Sequence, residues 1–271
     1  MVRLFGPLVG LFFAVALLWS FGNGAYTAIT EPAAATAEHE FHLHPKKVHF
    51  ASDGAFGKFD KAQLQRGFQV YKEVCATCHS LKHVAFRDLA ALGYSEAEVK
   101  AIAKQWGTKQ PTFDAKTGER GERDNIASDY FPVVYYAGQG SPPDLSLLTK
   151  ARHDGGAYTY SLLTGYQEQP AELLKKFPDA KTPDGLHYNP YFANLNLSMP
   201  APLSGEGQVT YSDGTKATVD QMAQDVSAFL IWTAEPKLDK RKQTGWAVLG
   251  FLLMATVLAY LAKKNVWADK H

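Results

Sequence analysis

Gln65-Arg66-Gly67-Phe68-Gln69-Val70-Tyr71, running into Cys75-Ala76-Thr77-Cys78-His79, is the stretch on which the reading of this 271-residue chain turns. C-x-x-C-H is the spacing at which two thiols add to the two vinyl groups of one haem, leaving the adjacent imidazole beneath the iron. Cys75 and Cys78 are the only cysteines, so the motif uses every thiol the chain has and no disulfide framework is left. A thioredoxin-like pair would need a βαβ setting, which the pattern around the motif does not offer. A zinc site would need four ligands, and the histidines are scattered. The motif therefore predicts one covalently attached haem c, with His79 as an axial ligand of its iron.

Upstream, the motif ends a helix. Asp60 and Gln63 form a capping-box-like start, and Leu64, Phe68, Tyr71 and Cys75 recur at helical spacing up to the first thiol. A second helix is expected from Thr218, paired with Gln221, with Val219, Met222, Val226, Phe229 and Leu230 as its apolar stripe and a stop before Pro236. A third piece is expected from Ser95 to Trp106. The middle between them is rich in Gly, Pro and aromatic residues and reads as long loops. A domain with few helices and long loops is well served by a large apolar cofactor at its centre.

The second axial ligand follows by elimination. Electron carriers of this kind commonly pair histidine with methionine. Of the four methionines, Met1 opens the N-terminal apolar segment, Met254 lies in the C-terminal one, and Met222 sits on a core-facing stripe. Met199 remains, in Asn196-Leu197-Ser198-Met199-Pro200-Ala201-Pro202-Leu203, a proline-stiffened loop short of backbone donors. The alternative is a histidine ligand, with Met199 as loop filler. His79 should give its other ring nitrogen to a backbone carbonyl. Pro142-Pro143, and Pro143 in particular, is a candidate to supply it; a plain tight turn is the alternative.

The two ends are apolar. The run from Leu4 to about Phe21 follows Arg3 and precedes small residues, the layout of a secretory signal, with cleavage after Ala25, Ala28 or Ala37. It is longer than the usual signal core of roughly 7–15 residues, so an uncleaved anchor competes. The run from Thr244 to Ala262 is uncharged, and at about 1.5 Å per residue it approaches the roughly 30 Å of a bilayer core. Trp246, Tyr260 and Trp267 stand near its ends, and Lys237, Lys240, Arg241 and Lys242 precede it, with Lys263 and Lys264 after it. The expected organisation is a signal over 1–28, a haem domain over 29–236 outside the cytoplasm, a basic juxtamembrane segment over 237–243, a membrane helix over 244–262 and a cytoplasmic tail over 263–271.

The stretch Glu31–Phe50 reads as an extended lead-in. Its histidines (His39, His42, His44, His49) are too irregularly spaced to suggest a metal site. With 28 basic against 27 acidic residues, no overall field favours nucleic acid as a partner. The loop from Asp114 to Asp129 carries Asp114, Glu119, Glu122, Asp124 and Asp129 against Lys116, Arg120 and Arg123; a solvated loop explains it better than a docking patch.

From about Phe56 onward the chain resembles the cytochrome c1 family, the haem subunits of ubiquinol:cytochrome c reductase (the cytochrome bc1 complex), in its bacterial form. The resemblance rests on an ordered set: Gln65–Tyr71 leading into Cys75–His79; Pro142-Pro143-Asp144-Leu145-Ser146; Leu162-Leu163-Thr164-Gly165-Tyr166; Tyr188-Asn189-Pro190-Tyr191-Phe192; Met199-Pro200-Ala201-Pro202-Leu203; Asp213-Gly214-Thr215; and Ala234-Glu235-Pro236 with Arg241-Lys242 before the anchor. It implies a mainly α fold, a cytochrome c-like haem domain with long loop insertions and one C-terminal transmembrane helix. It implies thioether bonds at Cys75 and Cys78, His79 and Met199 as axial ligands, and Arg87 near the haem as a propionate partner, against an ordinary exposed helix charge.

It further implies an electron-transfer subunit of the respiratory chain, without substrate chemistry at its iron. The electron would come from the Rieske iron–sulfur protein and go to a soluble or anchored c-type cytochrome. Cytochrome b, which does the quinol chemistry, and membrane lipid are the other implied partners. The implied location is the bacterial inner membrane, single-pass, with the haem domain periplasmic. An anchored haem enzyme with an open iron position and a stand-alone carrier are the rival readings. Two departures from the family pattern stand out. The stretch Val133-Val134-Tyr135-Tyr136-Ala137-Gly138-Gln139-Gly140-Ser141 lacks the arginine and paired asparagines found there in mitochondrial members, so propionate contacts from this loop are not implied. The extra disulfide of some members is impossible here.

Overall fold

In the computed structural model, residues 2–31, 35–138 and 140–270 are described; Met1, Gln139, His271 and the part of the lead-in over 32–34 lie outside them. The first helix, α1, runs Val2–Thr30, and a short α2, Ala37–Phe41, is capped by the Thr36 hydroxyl, which accepts from the His39 amide. The lead-in is thus extended except for one short helix, which Thr36 starts.

Helix α3, Lys61–Val70, begins where expected: the Asp60 carboxylate accepts the Ala62 and Gln63 amides. Gln63 supplies only its backbone, so the cap is one-sided. The helix does not stay α-helical to Cys75. From Tyr71 to Cys75 it widens to a π turn, the Ala76 amide bonding the Tyr71 carbonyl at 2.8 Å. A π turn inserts one residue into the helical register and so re-aims the next side chains along the chain, here the first thiol.

A 3₁₀ turn over Phe86–Leu92 ends at Gly93, whose φ of 104° suits glycine. Helix α4, Glu96–Lys104, opens on a complete capping box: Ser95 Oγ accepts the Glu98 amide, and the Glu98 carboxylate accepts the Ser95 amide. Strands β1 (Gln110–Phe113) and β2 (Arg120–Arg123) pair antiparallel, Gln110 opposite Arg123. The expected solvated loop is therefore partly a hairpin, invisible to periodicity because every residue of β2 is exposed. Helices α5 (Gly155–Leu163) and α6 (Ala171–Lys176) and a two-residue pair, β3 (His187–Tyr188) with β4 (Asn196–Leu197), complete the middle.

Helix α7, Val219–Ala234, is capped by Thr218 Oγ1 on the Gln221 amide and ends before Pro236. The Gln221 side chain does not reach back to close a capping box; its amide donates to Asp225 at 2.9 Å. Asp225 is fully buried and also accepts from Arg66, so the side-chain amide goes where an acceptor most needs a donor. Met222, Val226, Phe229 and Leu230 are buried, as the stripe requires. Helices α3 and α7 cross at Gly67, where a Cβ would come within 2.0 Å of the Asp225 carbonyl.

Around this crossing Phe68, Tyr71, Phe86, Trp106, Phe131 and Phe229 form an aromatic core, for example Trp106 edge-on to Phe131 at 4.8 Å. A second cluster gathers Ala37, Leu173, Tyr188 and Leu195. The last helix, α8, runs Leu238–Trp267, so the basic juxtamembrane residues form the first turns of the same helix as the apolar run. Both α1 and α8 are long and apolar enough to cross a membrane, and their apolar windows are unburied by the domain. The architecture is mainly helical, with loops and two small ribbons between α4 and α7.

Candidate haem site

The C-x-x-C-H segment leaves the π turn as a tight bend: the Cys78 and His79 amides both donate to the Cys75 carbonyl, at 3.1 and 2.9 Å. Both thiols are free and half-buried. Burial, with Cys78 beside it, pushes the Cys75 thiol up to about 12.

His79 Nδ1 lies 2.8 Å from the Pro143 carbonyl. A carbonyl only accepts, so this contact assigns the proton to Nδ1 and leaves the Nε2 lone pair free for a metal. Burial holds the imidazole's pKa below its ordinary value, the Pro143 contact opposing it, which favours the neutral, ligating form. Around the ring the chain is pinned on several sides. Tyr71 donates its hydroxyl to the His79 carbonyl at 2.9 Å. Ser80 accepts the Leu145 amide at its carbonyl and the Val134 amide at its hydroxyl. Asp144 and Ser146 accept the Lys82 and His83 amides. Pro142–Ser146 is therefore a clamp on the residues just after the thiols.

Met199 is half-buried, and its carbonyl accepts the Tyr166 hydroxyl at 3.0 Å. Burial raises the Tyr166 phenol above its ordinary value, keeping it a donor. The loop enters through Leu195, held at φ 65°, and Asn196, whose side chain accepts from Thr182. It leaves through Pro202, whose carbonyl accepts from Gln208. Gly140, at φ 85°, lies so close to Ser198 that a Cβ would meet its Oγ at 3.0 Å. One short segment thus touches Ser198 at Gly140 and His79 at Pro143. Three residues span at most about 11 Å, so that length plus one contact at each end tethers the Met199 loop to the imidazole.

The residues fit a haem. Two unpaired thiols sit beside an imidazole with one nitrogen committed and one free. The segment tied to Ser80 leaves Tyr130, Val133, Tyr135 and Tyr136 exposed, Tyr135 to 90%. Such an exposed, largely aromatic collar, tied to the residue after His79, is the kind of surface that a porphyrin face and edge would cover.

Arg87 is not brought to this centre by any contact of its side chain. It sits on the 3₁₀ turn rather than a helix, is exposed, and is held through its backbone amide on the Ala127 carbonyl. The lead-in histidines do not converge: among the described residues no group of three His, Cys, Asp or Glu side chains could hold a metal ion. Tyr166 and Gly140 are the residues that sequence reasoning missed as parts of the site. Both lie in segments it singled out, but their partners are distant in the chain and no local pattern announces them.

A family model described as the Cytochrome C1 family matches residues 50–270. The chain is 45% identical over 241 residues to cytochrome b/c1 of Bradyrhizobium diazoefficiens, a match covering 80% of this chain and 35% of that protein, about a third of its length. It is 43% identical over 236 residues to cytochrome c1 of Rhodospirillum rubrum, covering 80% of this chain and 86% of the relative. It is 40% identical over 252 residues to the mitochondrial cytochrome c1 heme protein of Saccharomyces cerevisiae, covering 89% and 77%.

Proposed function

Because the chain belongs to the cytochrome c1 family, whose members carry a covalently attached c-type haem, we propose that it is the haem subunit of a cytochrome bc1 complex, taking electrons from a Rieske iron–sulfur protein and passing them to a c-type cytochrome. Cytochrome b is its partner in the membrane; a relative from Candida albicans is named as a catalytic subunit of the cytochrome b-c1 complex. When bound, the haem supplies a one-electron couple. The chain supplies everything that sets it.

Cys75 and Cys78 hold the macrocycle by thioether bonds. His79 offers Nε2, with its tautomer and ring orientation fixed by the Pro143 carbonyl. Met199 offers its sulfur from a loop fixed by Tyr166 and by the packing of Gly140 on Ser198. His79 and Met199 would together hold the iron and leave no place on it for a substrate. The collar from Tyr130 to Tyr136 excludes water from part of the edge and lowers the local dielectric, which tunes the potential. Arg87 is kept as an exposed cation available to a propionate. The domain stands on the periplasmic face of a bacterial inner membrane, with α8 as its span and the residues after it cytoplasmic; α1 is the export signal.

The observation that carries this reading is the segment 140–143, which joins the His79 ring to the Met199 loop. The test is a reduced-minus-oxidised spectrum and redox titration of the wild type and Met199→Leu, with mass measured after denaturation. Both proteins should retain one haem in mass. Met199→Leu should lower the potential by a sizeable part of the roughly 0.8 V over which axial ligands set haem couples, and the reduced form should gain carbon monoxide binding at neutral pH. An unchanged spectrum and potential would remove Met199 from the iron; a wild type without added haem mass would end the reading altogether.

A further inference from the structure

Between Phe50 and Phe59, both packed on the core, the chain makes a tight loop outside the haem site. The Asp53 amide bonds the Phe50 carbonyl and the Lys58 amide the Ala51 carbonyl, each at 2.9 Å, while Asp53 Oδ2 accepts the Phe50 amide. Gly54 takes φ 69°, and at Gly57 a Cβ would lie 1.9 Å from the Asp53 carbonyl, so the closure needs glycine. The loop is rigid, yet its tip points an aromatic ring outward: Phe56 is 81% exposed.

What that ring touches is α8. Phe56 stacks on Trp246 with centroids 5.1 Å apart and planes within 8°. Lys242 Nζ donates to the Ser52 and Gly57 carbonyls at 2.6 and 3.2 Å, and Asp239 accepts the Phe59 amide. The loop is thus bolted to the first turns of the anchor helix. Trp246 lies just inside the apolar run, the level at which tryptophan marks the membrane interface. Phe56, stacked face to face on it, stands at the same level along α8. Lys58, two residues after Phe56, and Lys240, in the first turn of α8, are exposed and available to anionic headgroups.

We propose that the loop over 51–58 is a second membrane contact, with Phe56 seated in the lipid interface beside Trp246, so that the haem domain is held to the bilayer at two points. The partner is the lipid surface itself. A single helix would leave the domain free to tilt; a rigid loop clamped to that helix by Lys242 and Asp239 fixes its height and tilt. The proposal rests on α8 being the span.

The test uses the full haem-loaded chain in lipid nanodiscs of phosphatidylcholine and phosphatidylglycerol, alone and within its isolated complex. The thioether bonds leave an introduced cysteine as this chain's only reactive thiol, and the chain is labelled before it is assembled with its partners. Nitroxide labels at Phe56→Cys, at Leu253→Cys within α8 and at Lys116→Cys on the β1–β2 turn are compared for collisions with oxygen and with a water-soluble nickel chelate. Ala55→Cys replaces Phe56→Cys should the latter fail to load haem. The Phe56 label should collide with nickel several-fold less than the Lys116 label, and with oxygen more. Nickel collisions equal to those of Lys116, with Leu253 still in lipid, would overturn the loop contact alone. Loss of both collisions in the complex would overturn it in favour of a protein neighbour. A water-exposed Leu253 label would overturn the span and the proposal with it.

Discussion

His79 is held by its own turn and by Pro143 on its ring, with Asp144, Leu145 and Ser146 pinning the residues just after it, whereas Met199 is held by a hydroxyl thirty-three residues away and by the close approach of one glycine. The imidazole side stands on α3, which packs across α7 through a fully buried carboxylate and an aromatic core. The methionine side hangs on a loop between a two-residue strand and α7, over the smaller cluster around Leu173 and Tyr188. The first half is anchored redundantly and the second by few bonds. Perturbations of the first should therefore appear as global stability with the iron environment intact, and perturbations of the second as the reverse.

The largest expected effect is on the redundant side. Arg66 donates to Asp225 at 2.9 Å and to Asp213 at 2.8 Å, and Asp225 is fully buried. Arg66→Met leaves that carboxylate with the Gln221 amide as its remaining side-chain donor. Stranding one partner of a buried pair costs about 3–5 kcal/mol, and the retained amide places the loss near the lower end. The denaturation midpoint of the haem-loaded protein should fall accordingly while its spectrum and potential stay those of the wild type. A shifted potential would mean that the two halves are mechanically coupled, against the comparison.

The same division explains what was legible in the sequence. The Asp60, Ser95 and Thr218 caps and the apolar stripe of α7 are local, because a cap bonds amides two or three residues on and a helical face repeats within a turn. The C-x-x-C-H spacing is local for the same reason. The π turn that re-aims Cys75 is not, since no residue type announces a register shift. Nor is the β1–β2 hairpin, whose second strand buries nothing. Met199 is reached by elimination among four methionines, which places it in a loop but says nothing about what fixes the loop. Tyr166 and Gly140 act only through tertiary contact. Arg87 is exposed and bonded only through its backbone amide, so a role toward a propionate rests on its place in the chain alone. Thr36 caps α2 and Ala37 is buried, so among the three cleavage points read from sequence those after Ala25 and Ala28 keep the folded strap whole, and cleavage after Ala37 does not.

A smaller effect, on the lightly held side, is expected from Tyr166→Phe. It removes one hydrogen bond to the Met199 carbonyl and nothing else of the ring's packing. The net loss in stability should be about 1 kcal/mol, hard to separate from neighbouring surface changes. The informative measurement is at the iron: carbon monoxide should bind the reduced variant faster than wild type, and the potential should drop by less than in Met199→Leu. A variant that loses stability but keeps wild-type carbon monoxide kinetics would make Tyr166 a packing residue and leave the loop to its prolines.

The smallest effect returns to the redundant side and appears only in acid. The Thr215 amide, at 2.9 Å, and then Arg66 hold the Asp213 carboxyl down to about 2, against an ordinary value of 3.8. A carboxyl depressed on folding stabilises above its unfolded value and loses that contribution as pH falls through its folded one. The Asp213 contribution is therefore complete at neutral pH and above pH 4, and fades between about pH 4 and pH 2. Asp213 is open to solvent, so water and salt screen the Arg66 pair and keep the effect small. Asp213→Asn should lie slightly below wild type near neutrality, converge with it at pH 2, and flatten the slope of stability against pH between those points. Because Asp213 bonds only Thr215 and Arg66, away from the haem site, the variant's haem spectrum should match that of the wild type at each pH. Addition of salt should shrink the gap between variant and wild type at neutral pH, which separates this exposed contact from the buried one it shares Arg66 with.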